Sequence, residues 1–223
     1  MNMEKPKCMK DLALFAALSP AERQQVTLLA GKKTYQKGEM VFHEGQPADT
    51  IYLVKSGRIR LFKLSEEGKE ITLDILRADD IFGENAIFDE QLHSMSAQAL
   101  ESSFVCTCTR GDFERMIMQN PAVALKLIKA LGEKLNNYTV QIADMAFRDV
   151  KGRLLNTLQR LAQDYGKPNG DGLMIIISLT HQDLANLVNA SRVMVTNTLN
   201  RLKQEGLISM NDNYIVVKSH GSI

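Results

Sequence analysis

Cysteine is scarce in this chain: Cys8, Cys106 and Cys108 are the only three in 223 residues. An odd, sparse set excludes a disulfide framework and fits a reducing compartment. Four scattered histidines lack the clustered His and Glu spacing that metal chemistry in a cupin-type barrel requires. No nucleophile–base constellation and no phosphate-cradling glycine loop emerges, so no enzyme is expected. Charge of neither sign dominates, with 27 basic residues against 26 acidic ones, and any nucleic-acid surface therefore has to be local. No window approaches the roughly twenty apolar residues of a membrane span. The N-terminal MNMEKPKCMKDLALF has no signal-peptide architecture. A cytoplasmic protein with no membrane partner is expected.

What is present is concentrated near the C-terminal end. The stretch THQDLANLVNASRVMVTNTLNRLKQEGLI, residues 180–208, has the spacing of a helix-turn-helix. Thr180 is placed to cap a first helix whose Leu184, Leu187 and Val188 share a face, with Ala185 small enough for a close helix crossing. Asn189 stands where the turn needs a left-handed residue, and Ser191 is placed to cap a second helix with Val195, Leu199 and Leu202 inward. That leaves Arg192, Val193, Thr196 and Asn197 outward, in the first turns of the helix that such motifs insert into the major groove. An arginine there can donate two hydrogen bonds to guanine, Asn197 can pair with adenine or a phosphate, and Val193 can make only apolar contact. Thr180, His181, Gln182, Ser191 and Thr196 are candidates for phosphate contacts, which position without specifying sequence. An ordinary helical hairpin has the same local pattern, so the rest of the chain has to decide.

A chain of 223 residues is long enough for two small domains. After a helical segment at Pro20 to Leu29, residues 34 to 110 read as short β-branched or aromatic runs separated by turn signals, as in a small barrel or roll. From Asn120, a cap, and Pro121, at the favoured first position, the period becomes helical. Ala124, Ile128, Leu131, Leu135, Tyr138, Ile142 and Met145 recur in steps of four and three, a heptad seam that predicts a parallel dimer. Val123 and Leu127 lie on a neighbouring face and are available to the β-domain. A further helix is predicted over Val150 to Tyr165, then a turn-rich GKPNGDG, a strand over Leu173 to Ile177, the helix-turn-helix, and a hairpin wing around Asn211-Asp-Asn.

This order of parts resembles the Crp/Fnr family of bacterial transcription regulators. The likeness rests on KGEMVFHEG (37–45), IYLVKSGRIRLFKLSEEGKEITL (51–73), DDIFGENAIF (79–88), AFRDVKGRLLNTL (146–158) and the helix-turn-helix. It implies an α+β fold: an N-terminal β-roll of the double-stranded β-helix or jelly-roll type over 1–119, a long dimerisation helix over 120–147, and a C-terminal winged helix-turn-helix over 148–223. It also implies a homodimer on double-stranded, palindromic DNA, with RNA polymerase as a partner and a small-molecule or cofactor signal at the roll and long helix. The hinge of the family resembles Phe147-Arg148-Asp149, where Asp149 can equally cap the next helix.

In family members that bind cyclic AMP, an arginine and then a serine or threonine after the Gly-Glu pair hold the phosphate. Counted without gaps from Gly83-Glu84, this chain has Ser94 and Met95 there, and no arginine occurs between Arg77 and Arg110. Leaving a buried phosphate without its cation costs on the order of 3 to 5 kcal/mol. The pair that holds adenine corresponds to Tyr138-Thr139, and a tyrosine occupies pocket space. Cyclic AMP is therefore disfavoured. An iron–sulfur cluster needs four cysteine ligands and is disfavoured too, while haem would need His43 or His93 as ligand. What is left is an organic effector in a pocket of Leu61, Leu73, Leu76 and Tyr138 beside Gly83, Glu84 and Asn85, or no effector at all. Against the family's usual S-R-E-T-V-x-R pattern, Ser191 to Asn197 keeps only Arg192 by match, so an operator altered opposite Val193 and Asn197 is expected. The main alternative is a cyclic-nucleotide-binding module acting on a protein partner without DNA. The C-terminal motif counts against it.

Overall fold

The computed structural model describes residues 30–87, 91–119, 121–170, 172–211 and 214–218. The helical segment expected at Pro20 to Leu29, the Asn120 cap, Cys8, the Leu127 side chain and the wing tip at 212–213 lie outside what is described. The chain divides into two compact units, residues 1–135 and 136–223.

The first unit contains β1 (Gly31–Tyr35), β2 (Met40–Phe42), β3 (Thr50–Ser56), β4 (Ile59–Leu64), β5 (Glu70–Leu76), β6 (Ile81–Phe82), β7 (Ser96–Ala99) and β8 (Ser103–Thr109). They form two antiparallel sheets, in the orders β1-β8-β3-β6 and β2-β7-β4-β5. Strand alternation gives the unit two cores. Tyr52 and Val54 of β3 join Phe42, Ile59, Leu61, Leu76, Phe82 and Val105 in the roll interior. Ile51 and Leu53, on the opposite face, join Cys106, Phe113, Met116 and Val123. Each such burial is worth about 1.5 to 3 kcal/mol. Gly83 shows why the chain turns where it does: its φ is +77°, and an added Cβ would stand 2.7 Å from the Tyr52 ring.

Two helices complete that second core. The first, α1 (Arg110–Gln119), which the sequence reading did not separate from the roll, buries Phe113 and Met116. The second, α2 (Pro121–Phe147), buries Val123 on its own β-domain as expected. Leu131, expected in the seam, also packs in part against this same core, because a helix that buries Val123 brings neighbouring positions close to the same surface. Ile128, Leu135 and Ile142 remain 64%, 67% and 67% exposed, a stripe of every seventh residue.

In the second unit, α3 (Val150–Tyr165) begins at Asp149, whose carboxylate accepts the Gly152 N–H at 2.8 Å. Its Leu154, Leu158, Leu161, Ala162 and Tyr165 are buried along one stripe. The strands β9 (Gly166–Asn169) and β10 (Gly172–Ile175) follow, then α4 (His181–Val188), α5 (Arg192–Gln204), β11 (Ile208–Asn211) and β12 (Tyr214–Lys218). The sheet order is β11-β12-β10-β9. Two expectations shift here. The GKPN of the expected turn forms β9, an edge strand that tolerates Pro168, and the strand expected at Leu173 to Ile177 ends at Ile175. The α4–α5 turn runs through Asn189 at φ 48° and ψ 57°, the left-handed conformation its sequence position predicted.

Two stability predictions follow from these features. Burial holds the His93 imidazole below its ordinary 6.5, against the opposing pull of Asp49 and Glu84. The unfolded chain then takes up a proton that the native roll resists, so stability present above about pH 6.5 is lost as pH falls through the folded value. Urea unfolding should show a smaller drop in midpoint between about pH 7.5 and pH 5.5 for His93→Leu than for the parent. In the same assay at neutral pH, Asn189→Ala should cost about 1 kcal/mol and Asn189→Gly close to nothing, since only the alanine pays for a left-handed backbone.

Candidate nucleic-acid interface

Each helix of the pair starts where its cap fixes it. The Thr180 hydroxyl accepts the Asp183 N–H at 3.1 Å, while the Asp183 carboxylate accepts the Thr180 N–H at 2.8 Å, a reciprocal capping box. The Ser191 hydroxyl accepts the Met194 N–H at 3.2 Å, so the first turn of α5 begins at Arg192. Val195, Leu199 and Leu202 are fully buried, which turns Arg192, Val193 and Asn197 outward. The Arg192 and Asn197 side chains make no hydrogen bond or ion pair among the described residues, and Val193 is 69% exposed. The exposed face therefore offers a free guanidinium fork, a free amide and an apolar patch. Asn200 is also exposed on it, one turn beyond Thr196. The sequence reading missed Asn200, although the four-residue step from Thr196 was the signal for it.

Of the expected phosphate contacts, Thr180, Gln182 and Ser191 are exposed, while His181 and Thr196 are half-buried because they bind each other. The Thr196 hydroxyl donates to the Arg192 carbonyl at 2.9 Å and lies 2.8 Å from His181 Nδ1. With its proton committed to that carbonyl, the hydroxyl accepts from Nδ1–H of the imidazole. The bridge ties α4 to the first turn of α5. Gln182 donates to Asn186 at 2.8 Å.

Behind this pair stands Arg153, which sequence reasoning passed over. Its Nε donates to the Val188 carbonyl at 2.9 Å, Nη1 to the Arg148 carbonyl at 2.9 Å and Nη2 to the Asn189 carbonyl at 3.5 Å. One side chain thus joins the end of the long helix to the turn of the helix-turn-helix. The expected hinge is built around it. Phe147 is 88% exposed, Arg148 pairs with Asp144 at 2.7 Å, and Asp149 is the cap of α3.

The expected signal residues divide between the units. In the first, Leu61 and Leu76 are buried in the packed roll interior, Leu73 is half-buried, and Met95 packs partly against the same cluster. Gly83 opens the turn that carries Glu84, whose carboxylate lies 3.5 Å from Lys134 Nζ on α2, a partner the sequence reading missed. Asn85 accepts from the exposed Ser94 hydroxyl at 3.5 Å. Tyr138 is half-buried and Thr139 exposed, both in the second unit. Of the seam residues there, Ile142 is exposed and Met145 half-buried; in the first unit Ala124 is half-buried.

The alternative signal chemistries find the following settings. His93 is stacked on Phe42 with ring centroids 3.6 Å apart and planes 6° from parallel, so one face of its ring is engaged in aromatic packing, and His43 is exposed. Cys106 is buried, and burial, reinforced by Asp112, pushes the Cys108 thiol up to about 11, which keeps it protonated and unreactive at neutral pH. No group of three or more His, Cys, Asp or Glu among the described residues is arranged to hold a metal ion.

With this geometry in place, likeness to known proteins becomes informative. Residues 32–120 match the cyclic nucleotide-binding domain and residues 152–221 the Crp-like helix-turn-helix domain. The chain is 34% identical over 186 residues to the anaerobic regulatory protein of Bacillus subtilis, covering 83% of this chain and 78% of that one. It is 29% identical over 210 residues to the cyclic AMP receptor protein of Thermus thermophilus, covering 94% of each. A CooA variant from Carboxydothermus hydrogenoformans matches at a TM-score of 0.78 and 26% identity, over 94% of this chain and 93% of that one. The c-di-GMP responsive global regulator CLP of Xanthomonas campestris, at a TM-score of 0.76 and 21% identity over 91% and 100%, shares the fold. No described helix is long and apolar enough to cross a membrane. These matches are to transcription regulators, not enzymes, and the chain belongs to the Crp/Fnr family, with a cyclic nucleotide-binding domain fold and a helix-turn-helix DNA-binding domain.

Proposed function

We propose that the chain acts as a cytoplasmic homodimer that binds a palindromic operator, with Arg192 reading a guanine in each half-site. The observation that carries this reading is the free Arg192 guanidinium on a doubly anchored helix, held by its Ser191 cap and by the His181–Thr196 bridge. A side chain that has no internal partner loses none on entering the groove. Val193 and Asn197 follow it in place of the family's usual Glu or Ser and second Arg, so the operator departs from the family's usual half-site at the positions they face. The exposed stripe of Ile128, Leu135 and Ile142 supports pairing of two copies along α2.

The dimer is modulated by a small-molecule or cofactor signal at the roll and long helix, and recruits RNA polymerase. That signal differs from cyclic AMP, which some relatives are named for. Ser94 and Met95 supply no cation for a phosphate, and the Glu84 carboxylate already has Lys134 beside it.

Selection of bound duplexes from random DNA by the parent and by Arg192→Ala checks the base assignment. The parent should return a two-fold site. The variant should bind it about 1 to 3 kcal/mol more weakly and lose discrimination at one guanine per half-site. An unchanged base preference contradicts the role given to Arg192.

A further inference from the structure

The helix α5 carries three cations between Arg192 and Gln204, namely Arg192, Arg201 and Lys203, and no carboxylate, which suits a polyanion. Arg201 is held by Glu205 at 3.1 Å, at the end away from the Ser191 cap. Val193, Asn197 and Asn200 fall at i, i+4 and i+7. They lie within about 60° of one another around the axis, on the side opposite the buried Val195, Leu199 and Leu202. All three are exposed, and neither asparagine side chain makes a hydrogen bond or ion pair among the described residues. Thr196, beside this row, has its hydroxyl committed to the Arg192 carbonyl and to His181. On an exposed helix face, where packing does not decide, propensity favours alanine, lysine, glutamate or glutamine, and valine and asparagine are among the weaker helix formers. Asn200 therefore contributes nothing to the free helix that alanine would not supply better.

What the row does supply is chemistry for base edges. A carboxamide carries a donor and an acceptor side by side. Adenine offers the complement in the major groove, an N7 acceptor beside an N6 donor, whereas guanine offers two acceptors and sets O6 against the carboxamide oxygen. A valine has only methyl groups to present, and these match the methyl of thymine. A carboxylate in the row would call for cytosine and a second guanidinium for guanine, and the row contains neither. We infer that Asn197 and Asn200 each read an adenine and Val193 a thymine methyl, so that the positions they face beside the Arg192 guanine are A·T pairs. The inference rests on the proposed entry of α5 into the major groove, and it adds Asn200 as a specificity-determining residue.

Duplexes selected from random DNA by the full-length parent and by Asn200→Ala, then titrated at one fixed salt concentration, test the assignment. The parent should return half-sites with A·T pairs at three positions beside the guanine. Asn200→Ala should lose the preference for adenine at one of them and bind the parent's site about 5- to 150-fold more weakly, the discrimination of one bidentate pair. Replacing that adenine by 7-deazaadenine, which removes N7 and keeps the pairing with thymine, should weaken the parent and leave the variant unchanged. Because alanine is the better helix former, the variant should unfold no earlier than the parent on heating. If it does unfold earlier, scanning 7-deazaadenine through the half-site decides on the parent alone, which should weaken at two adenines. A parent that returns no two-fold site with a guanine overturns the proposed major-groove reading, and this inference with it. A two-fold site that has the guanine but no A·T pairs at those positions overturns this inference alone. So does full tolerance of 7-deazaadenine by the parent, or an Asn200→Ala that weakens every duplex equally, as loss of a phosphate contact does.

Discussion

The Arg153 guanidinium donates to the carbonyls of Arg148, Val188 and Asn189, and the geometry of the DNA-reading unit depends on those bonds. The last carbonyls of any helix lack partners within it, and a cation at that end also meets the negative pole of the helix. Here the need is sharpened because Asn189 leaves α4 in a left-handed conformation and turns the chain toward α5. A single charged side chain meets that need and, by reaching Arg148 as well, refers the position of α4 to the end of the long helix. From there the order propagates outward: the His181–Thr196 bridge carries it from α4 to α5, and the Ser191 cap sets which residue of α5 comes first. Arg192 is thus presented by a chain of short, directional contacts rather than by hydrophobic packing alone.

The roll shows a different balance. Its interior is filled with aromatic and aliphatic side chains, and His93 is drawn into that packing against Phe42. Several of its polar groups are met locally, though Arg60 Nε and the Thr72 hydroxyl are buried without a partner among the described residues. Arg60 is fixed by Glu70 at 2.7 Å and Gln98 at 2.8 Å, and Glu84 faces Lys134. A chain with balanced charge places its functional electrostatics in this way, as local arrangements of paired and unpaired groups. Among the described residues the Arg192 side chain on the recognition helix is unpaired, and a partner that meets it has something to gain.

What was legible in the sequence was what is decided within a few residues. The caps at Thr180, Asp149 and Ser191 and the left-handed Asn189 each depend on a local hydrogen bond or a backbone preference, and each stands where the residue types put it. The inward positions of α4 and α5 follow from period alone. Arg153 was not legible, because its partners lie up to 36 residues away and are backbone carbonyls, which have no signature in sequence. The partial packing of Leu131 on the β-domain was not legible for a related reason: a heptad repeat marks an apolar stripe but does not say whether the facing surface belongs to a second copy or to the same chain. Likewise β9 hides in a turn-like GKPN, since an edge strand needs only backbone to pair with β10.

The central claim is that two copies of this chain read DNA as a symmetric pair. Hydroxyl-radical footprinting of a selected duplex, with sedimentation of the same complex, tests it most directly. The account predicts two protected segments on one face of the duplex, centred about 10 base pairs or one helical turn apart, with two chains per duplex. A single protected segment, or one chain per duplex, would contradict it.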